Sequence, residues 1–104
     1  MITLDRSKKL HTQITEDTWC KCGMYIKNAN QEIEGACLMG YLELYYGTGV
    51  WVNTSPKNPD DRVRAYLFDK FPDEWCKGGR SIAYMNDCVL KFSDLTEMLK
   101  ELDI

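Results

Sequence analysis

Leu95, Met98, Leu99 and Leu102 fall at i, i+3, i+4 and i+7, the spacing that lines up one face of a helix, and Ser93 precedes them as a capping residue. A second helix is predicted from Asn58-Pro59-Asp60-Asp61, which has the order of a helix start: a capping side chain, proline in the first turn, then acids. Val63, Tyr66 and Leu67 give its inward face, with Phe71 one turn on, and Pro72 stops it. Between Ala36 and Tyr46 there is one charge, and apolar residues occupy nearly every face, the pattern of a buried central helix. Glu32 and Glu34 precede it on the side where carboxylates favour the helix dipole, and Gly47 follows where a left-handed stop is needed.

The remaining segments are shorter. Cys22 to Lys27 reads as a strand, Asn28-Ala29-Asn30-Gln31 as a turn, and Glu32-Ile33-Glu34 as a returning strand. Two strands alone are marginally stable, so a helix must cover one face. Asp5 to Asp17 is polar with Leu10 and Ile14 one turn apart, which predicts a short amphipathic helix. Val50-Trp51-Val52 is a short β-prone run followed by a loop to Asn58, and Trp75 to Arg80 reads as a turn around Gly78-Gly79. The sum is an α+β fold: one mainly helical domain over residues 1–104, with a small antiparallel hairpin or sheet packed on a central apolar helix. The expected core is Ile14, Trp19, Tyr25, Cys37, Leu38, Leu42, Leu44, Val63, Leu67, Phe71, Leu95, Leu99 and Leu102.

Charge narrows the partners. A formal net charge of -3 disfavours a broad phosphate-binding face, so direct nucleic-acid binding is not expected, whereas a basic protein partner is accommodated. No stretch approaches the roughly 20 apolar residues that span a bilayer, and the first residues lack the apolar run of a signal peptide. The expectation is a cytoplasmic protein with reduced thiols.

Five cysteines share the chain with one histidine, His11. Cys20-Lys21-Cys22 with Cys37 and either Cys76 or Cys88 could supply four thiolates to zinc, but paired C-x-x-C knuckles are missing, so free thiols and no cofactor are expected. Cys37, near a helix start, could act as a nucleophile with His11 as base and Asp87 as orienting group, making an acyl-transfer or hydrolytic enzyme the alternative reading. Lys77-Gly78-Gly79-Arg80-Ser81 has glycines and cations suited to an anion-binding turn without the P-loop spacing, and reads as a surface turn. Asp60-Asp61, Asp69 and Asp73-Glu74 read as surface acids at helix ends.

Twelve per cent of the chain is aromatic, enough to fill a core and leave rings outside. Tyr45, Tyr46, Trp51 and Trp75 flank predicted turns or helix ends and are the candidate anchors for a protein partner. An exposed Val50-Trp51-Val52 edge would also suit a homodimer.

Gly35-Ala36-Cys37-Leu38-Met39-Gly40-Tyr41-Leu42 and Ile82-Ala83-Tyr84-Met85-Asn86-Asp87 resemble the G-x-C-L-x-G-A-L and I-x-x-W-N-D blocks of a small bacterial and phage family of unknown function. Tyr41 and Met85 stand where that family favours alanine and tryptophan. The resemblance implies an α+β domain with a hairpin, and the Asn-Asp pair as a cap before the last helix. It carries no activity. The function expected is a small acidic, non-catalytic protein-binding domain that modulates or inhibits a larger host protein such as a nucleic-acid-handling or defence enzyme, and the resemblance implies a bacterial or phage origin.

Overall fold

Gly40 explains how the sheet and the central helix meet. A Cβ at this position would stand 2.5 Å from the Met24 carbonyl oxygen and 3.0 Å from the Ala36 Cβ, so the hairpin lies directly on the helix backbone. The computed structural model describes residues 2–47 and 58–104. Strand β1 (Tyr25–Lys27) pairs antiparallel with β2 (Ile33–Ala36), in the register Tyr25 to Ala36, with an irregularity between Ile26 and Lys27. The Asn28 side-chain oxygen accepts from the Asn30 and Glu32 amides, which closes the turn. Trp19 bridges Ala36 in parallel on the other edge of β2, through Ala36 N–H to the Thr18 carbonyl and Cys20 N–H to the Ala36 carbonyl.

Helix α1 (Leu38–Tyr46) follows β2 after one residue. Cys37 is therefore its N-cap and not an interior residue. Leu38, Tyr41, Leu42 and Tyr45 are buried, while Met39, Glu43, Leu44 and Tyr46 are half-buried, so the helix is covered chiefly on one side. Glu32 and Glu34 lie in the hairpin instead of at the helix start, where the Asn28 amide donates to both carboxylates. Gly47 takes φ 87° and returns its N–H to the Glu43 carbonyl, as the stop signal requires.

Helix α2 (Pro59–Lys70) starts as its sequence dictates, with the Asn58 side chain accepting from the Asp60 amide at 2.8 Å. Phe71 ends it and simultaneously caps α3 (Pro72–Lys77). The segment expected to be a turn from Trp75 is thus partly helical: proline blocks the preceding helix but has the right φ for the first position of the next. A short turn, α4 (Ile82–Tyr84), runs into a wider π-type turn (Met85–Val89), and α5 (Phe92–Glu101) closes the fold. Lys91 is the α5 N-cap, its amide bonded to the Asp94 carboxylate, so the helix begins before Ser93.

The predicted N-terminal helix contracts to one 3-10 turn, Leu10–Thr12. Local side chains take over its backbone groups: Asp5 accepts from Ser7, and the Gln13 amide donates to the Asp5 carbonyl. Leu10 and Ile14 are nonetheless buried.

One core joins these elements. Cys37, Leu38, Leu42, Val63, Leu67, Leu95 and Leu99 are buried as expected, whereas Trp19, Tyr25, Leu44, Phe71 and Leu102 are only partly buried against it. Tyr41, Trp75, Ile82, Met85, Leu90, Met98 and Ile104 complete the core. The predicted Val50–Val52 edge and the dimer surface built on it lie outside the described residues. Among the described residues no helix is long and apolar enough to cross a membrane.

Candidate functional site

The π-type turn carries Asn86 into the interior, where it is fully buried. Its Oδ1 accepts from Trp19 Nε1 at 2.6 Å and from the Leu38 amide at 2.9 Å. Its Nδ2 donates to the Cys20 carbonyl at 3.0 Å and to Asp87 Oδ1 at 2.9 Å. Two acceptor sites and two donors are all an amide has, so Asn86 is saturated. Asp87 Oδ1 also accepts from the Cys22 amide at 2.9 Å, holding Cys22 at φ 63°. Asn86 therefore serves the first amide of α1, across the fold, and Asp87 ties Asn86 to Cys22, so the pair does not cap the last helix as its position in the chain suggests. With every bond filled, the Asn86 amide has nothing left for substrate.

The thiols do not form one cluster. Cys22, Cys76 and Cys88 are exposed, whereas Cys20 and Cys37 are buried. Among the described residues no group of three or more His, Cys, Asp or Glu side chains could hold a metal ion, so Cys20, Cys22, Cys37 and Cys76 do not converge. Cys37 Sγ accepts from the Gly40 amide at 3.5 Å, the bond of a helix cap. Cys37 and Asp87 do line one cleft, with Gly23, Met24, Met39 and Ala83. His11 does not join them in it. Its Nδ1 lies 2.7 Å from the Ile104 carbonyl oxygen, and its amide donates to the same atom. The nucleophile–base pair required by the enzymatic alternative is not assembled in this structure.

The anion-binding turn fails on its donors. The amides of Gly78, Gly79 and Arg80 donate to the Glu74, Cys76 and Trp75 carbonyls, and the Tyr84 ring covers Gly78 so closely that a Cβ there would overlap it.

Two proposed aromatic anchors are corrected. Tyr45 is buried, its hydroxyl donating to the Lys8 carbonyl, and Trp75 is buried within α3. Both rings belong to the core. Tyr46 remains half-buried, stacked edge-on against Tyr45 at 4.8 Å, and Trp51 lies outside the described residues.

A different surface combines aromatic rings with charge. Tyr66, Lys70 and Phe71 from α2 and its end, and Asp94 and Glu97 from α5, line a groove of about 250 Å³. Phe68 is 52% exposed but lies two residues from both Tyr66 and Lys70, on another face of α2, and does not line the groove. Lys70 Nζ sits 5.8 Å from the Tyr66 ring centroid and 3.9 Å from Glu101 Oε1. Burial pushes the Tyr66 phenol up, and the negative fields of Glu101, Glu97 and Asp94 push it further the same way. The groove is thus an aromatic floor under a negative potential. The signal was present in the sequence: Asp94, Glu97 and Glu101 are spaced by three and four residues, and share a helix face as surely as the leucines do.

No family model, curated protein or solved structure matches this chain.

Proposed function

We propose that this protein is a non-catalytic binding domain that grips a basic segment of a larger protein in the groove between α2 and α5. The carrying observation is the contact the chain makes with itself: the Lys70 ammonium over the Tyr66 ring and beside Glu101. An incoming lysine or arginine would find the same ring and the neighbouring carboxylates of Asp94 and Glu97. Cation–π contacts contribute about 0.5–1 kcal/mol at exposed sites. The Lys70–Glu101 pair is half-exposed on both sides, and such pairs contribute about 0–1 kcal/mol, so it can yield to a competitor.

Basic segments are abundant on proteins that handle nucleic acid, where they neutralise phosphates. An acidic domain that covers such a segment would compete with nucleic acid for it. This is the form in which modulation or inhibition of a host enzyme fits the molecule.

The test is fluorescence anisotropy with a labelled arginine- and lysine-rich peptide, at low and moderate salt. Binding should weaken with salt and fall about tenfold, or ~1.4 kcal/mol, in the Asp94→Asn/Glu97→Gln double variant. Equal affinity in the double variant, or equal binding of an acidic peptide, would refute the reading.

A further inference from the structure

Cys20 and Cys37 occupy a special place in the register. Trp19 and Ala36 are parallel bridge partners, and Cys20 and Cys37 are the residues that follow each of them. The Cys20 amide is bonded to the Ala36 carbonyl at 3.0 Å, and Cys37 continues with extended backbone, φ -79° and ψ 179°. Paired strands lie about 4.8 Å apart, inside the Cα separation of ~4.4–6.8 Å that a disulfide bridges. Side-chain alternation places both thiols on the same face. Cys20 Sγ donates to the Gly23 carbonyl at 3.4 Å, and Gly23 and Cys37 line the same cleft. Cys37 belongs among the causes that push the Cys20 thiol up, after burial and ahead of Asp87, which places the two thiols in each other's field.

We propose that Cys20 and Cys37 form an oxidisable pair that hydrogen peroxide converts to a disulfide. The cleft beside Cys37 is about 150 Å³ and mostly apolar, large enough for peroxide and too small for a peptide disulfide such as oxidised glutathione. Cys37 Sγ attacks one peroxide oxygen as the thiolate. The O–O bond breaks, the leaving hydroxide takes up the thiol proton as water, and a sulfenic acid remains on Cys37. Cys20 Sγ then displaces that hydroxyl, the S–S bond forms, and the second water leaves with the Cys20 proton. The two thiols lose two electrons and two protons in total, and one peroxide becomes two waters. The product staples the start of α1 to the Trp19–Cys20 segment and replaces the weak Sγ contact to the Gly40 amide.

The experiment uses the full chain with Cys22, Cys76 and Cys88 replaced by serine, since all three are exposed. Protein treated with peroxide is unfolded, alkylated and digested with trypsin without reductant. The tryptic peptides 10–21 and 28–57 should be recovered joined, lighter by two hydrogens than their sum, and separated by reductant. In the additional Cys20→Ser variant, dimedone should label Cys37. Recovery of both cysteines alkylated while Met24 or Met39 has gained oxygen would overturn the proposal. So would a sulfinic acid on Cys37 with Cys20 still free. Oxidation by glutathione disulfide as fast as by peroxide would remove the role given to the cleft.

Discussion

The Asn86 knot and the α2–α5 groove both gather polar side chains against aromatic rings, yet they differ in what is left over. At the knot, Asn86 is wholly buried and each donor and acceptor has a partner, Trp19 Nε1 among them. In the groove, Tyr66 is half-buried, Lys70 is exposed, and Asp94 and Glu97 border open space. Saturation under burial makes a polar group structural, because leaving any bond unmade inside costs more than the bond contributes. Incomplete pairing at the surface makes it available, because water holds the place until a ligand arrives.

The knot predicts the largest effect. Asn86→Ala orphans the Trp19 indole N–H, the Leu38 amide and the Cys20 carbonyl together, and should cost about 2–4 kcal/mol in urea unfolding. Asn86→Asp keeps the acceptor for Trp19 and Leu38 but sets a charge beside Asp87, so it should also be destabilised. A loss below about 0.5 kcal/mol for Asn86→Ala, within the range of neutral surface changes, would show that the knot does not hold the fold.

A smaller effect is expected beside it, at Gly40. Alanine gains about 1 kcal/mol of helix propensity over glycine, but here its methyl would meet the Met24 carbonyl at 2.5 Å. Overpacking of this kind costs about 1–3 kcal/mol, and a backbone carbonyl paired in the hairpin cannot swing aside. Gly40→Ala should therefore be net destabilised in the same unfolding assay. A stabilised variant would mean that the hairpin rides loosely on α1.

These two positions also mark what the sequence could reveal. Helices α2 and α5 were legible because their inward faces repeat with helical period, and the hairpin because its turn is rich in asparagine. The core was partly legible: Leu95 and Leu99 follow from periodicity, but Trp75 and Tyr45 do not, since an aromatic beside a turn is buried or exposed according to how the turn folds. Asn86 was read as a cap for the helix that follows it in the chain. Its true partners, Trp19, Cys20 and Leu38, are 48 to 67 residues away, a separation no local pattern encodes. The groove was missed for a different reason. Its aromatic positions were read only as an inward face, and its acids on α5 were not read against them.

Alkali should separate the two kinds of polar group more gently. The phenols of Tyr25, Tyr41, Tyr46 and Tyr66 are all pushed up, burial being the first cause in each, with the Glu43 carboxylate next for Tyr25. A raised folded pKa means the folded state holds its protons where the unfolded state has released them. The resulting stability is complete below the ordinary phenol value of about 10 and is lost as pH rises above it. Melting temperature should stay flat towards pH 10 on this account and then fall. Tyr25→Phe should soften that fall, because its hydroxyl donates to Glu43 at 2.7 Å and cannot do so once ionised. An unchanged alkaline limb in Tyr25→Phe would assign the fall to the other three tyrosines.

The smallest effect on stability, and the sharpest contrast, belongs to the groove. The Glu97 side chain is exposed, and Asp94 is half-buried with one oxygen capping the Lys91 amide. Glu97→Gln alone should change unfolding free energy by no more than about 0.5 kcal/mol, the usual range for a surface position. It should slightly lower the Tyr66 phenol, because one of the negative fields that raise it is gone. Absorbance titration of tyrosine reads that shift directly, and Tyr66→Phe identifies which step of the titration belongs to this ring. A destabilisation comparable to Asn86→Ala would make Glu97 part of the scaffold and erase the distinction between the two regions. Unchanged stability with a lowered phenol pKa would place Glu97 where a binding surface needs its charges: close enough to act on the aromatic floor, without being required to hold it in place.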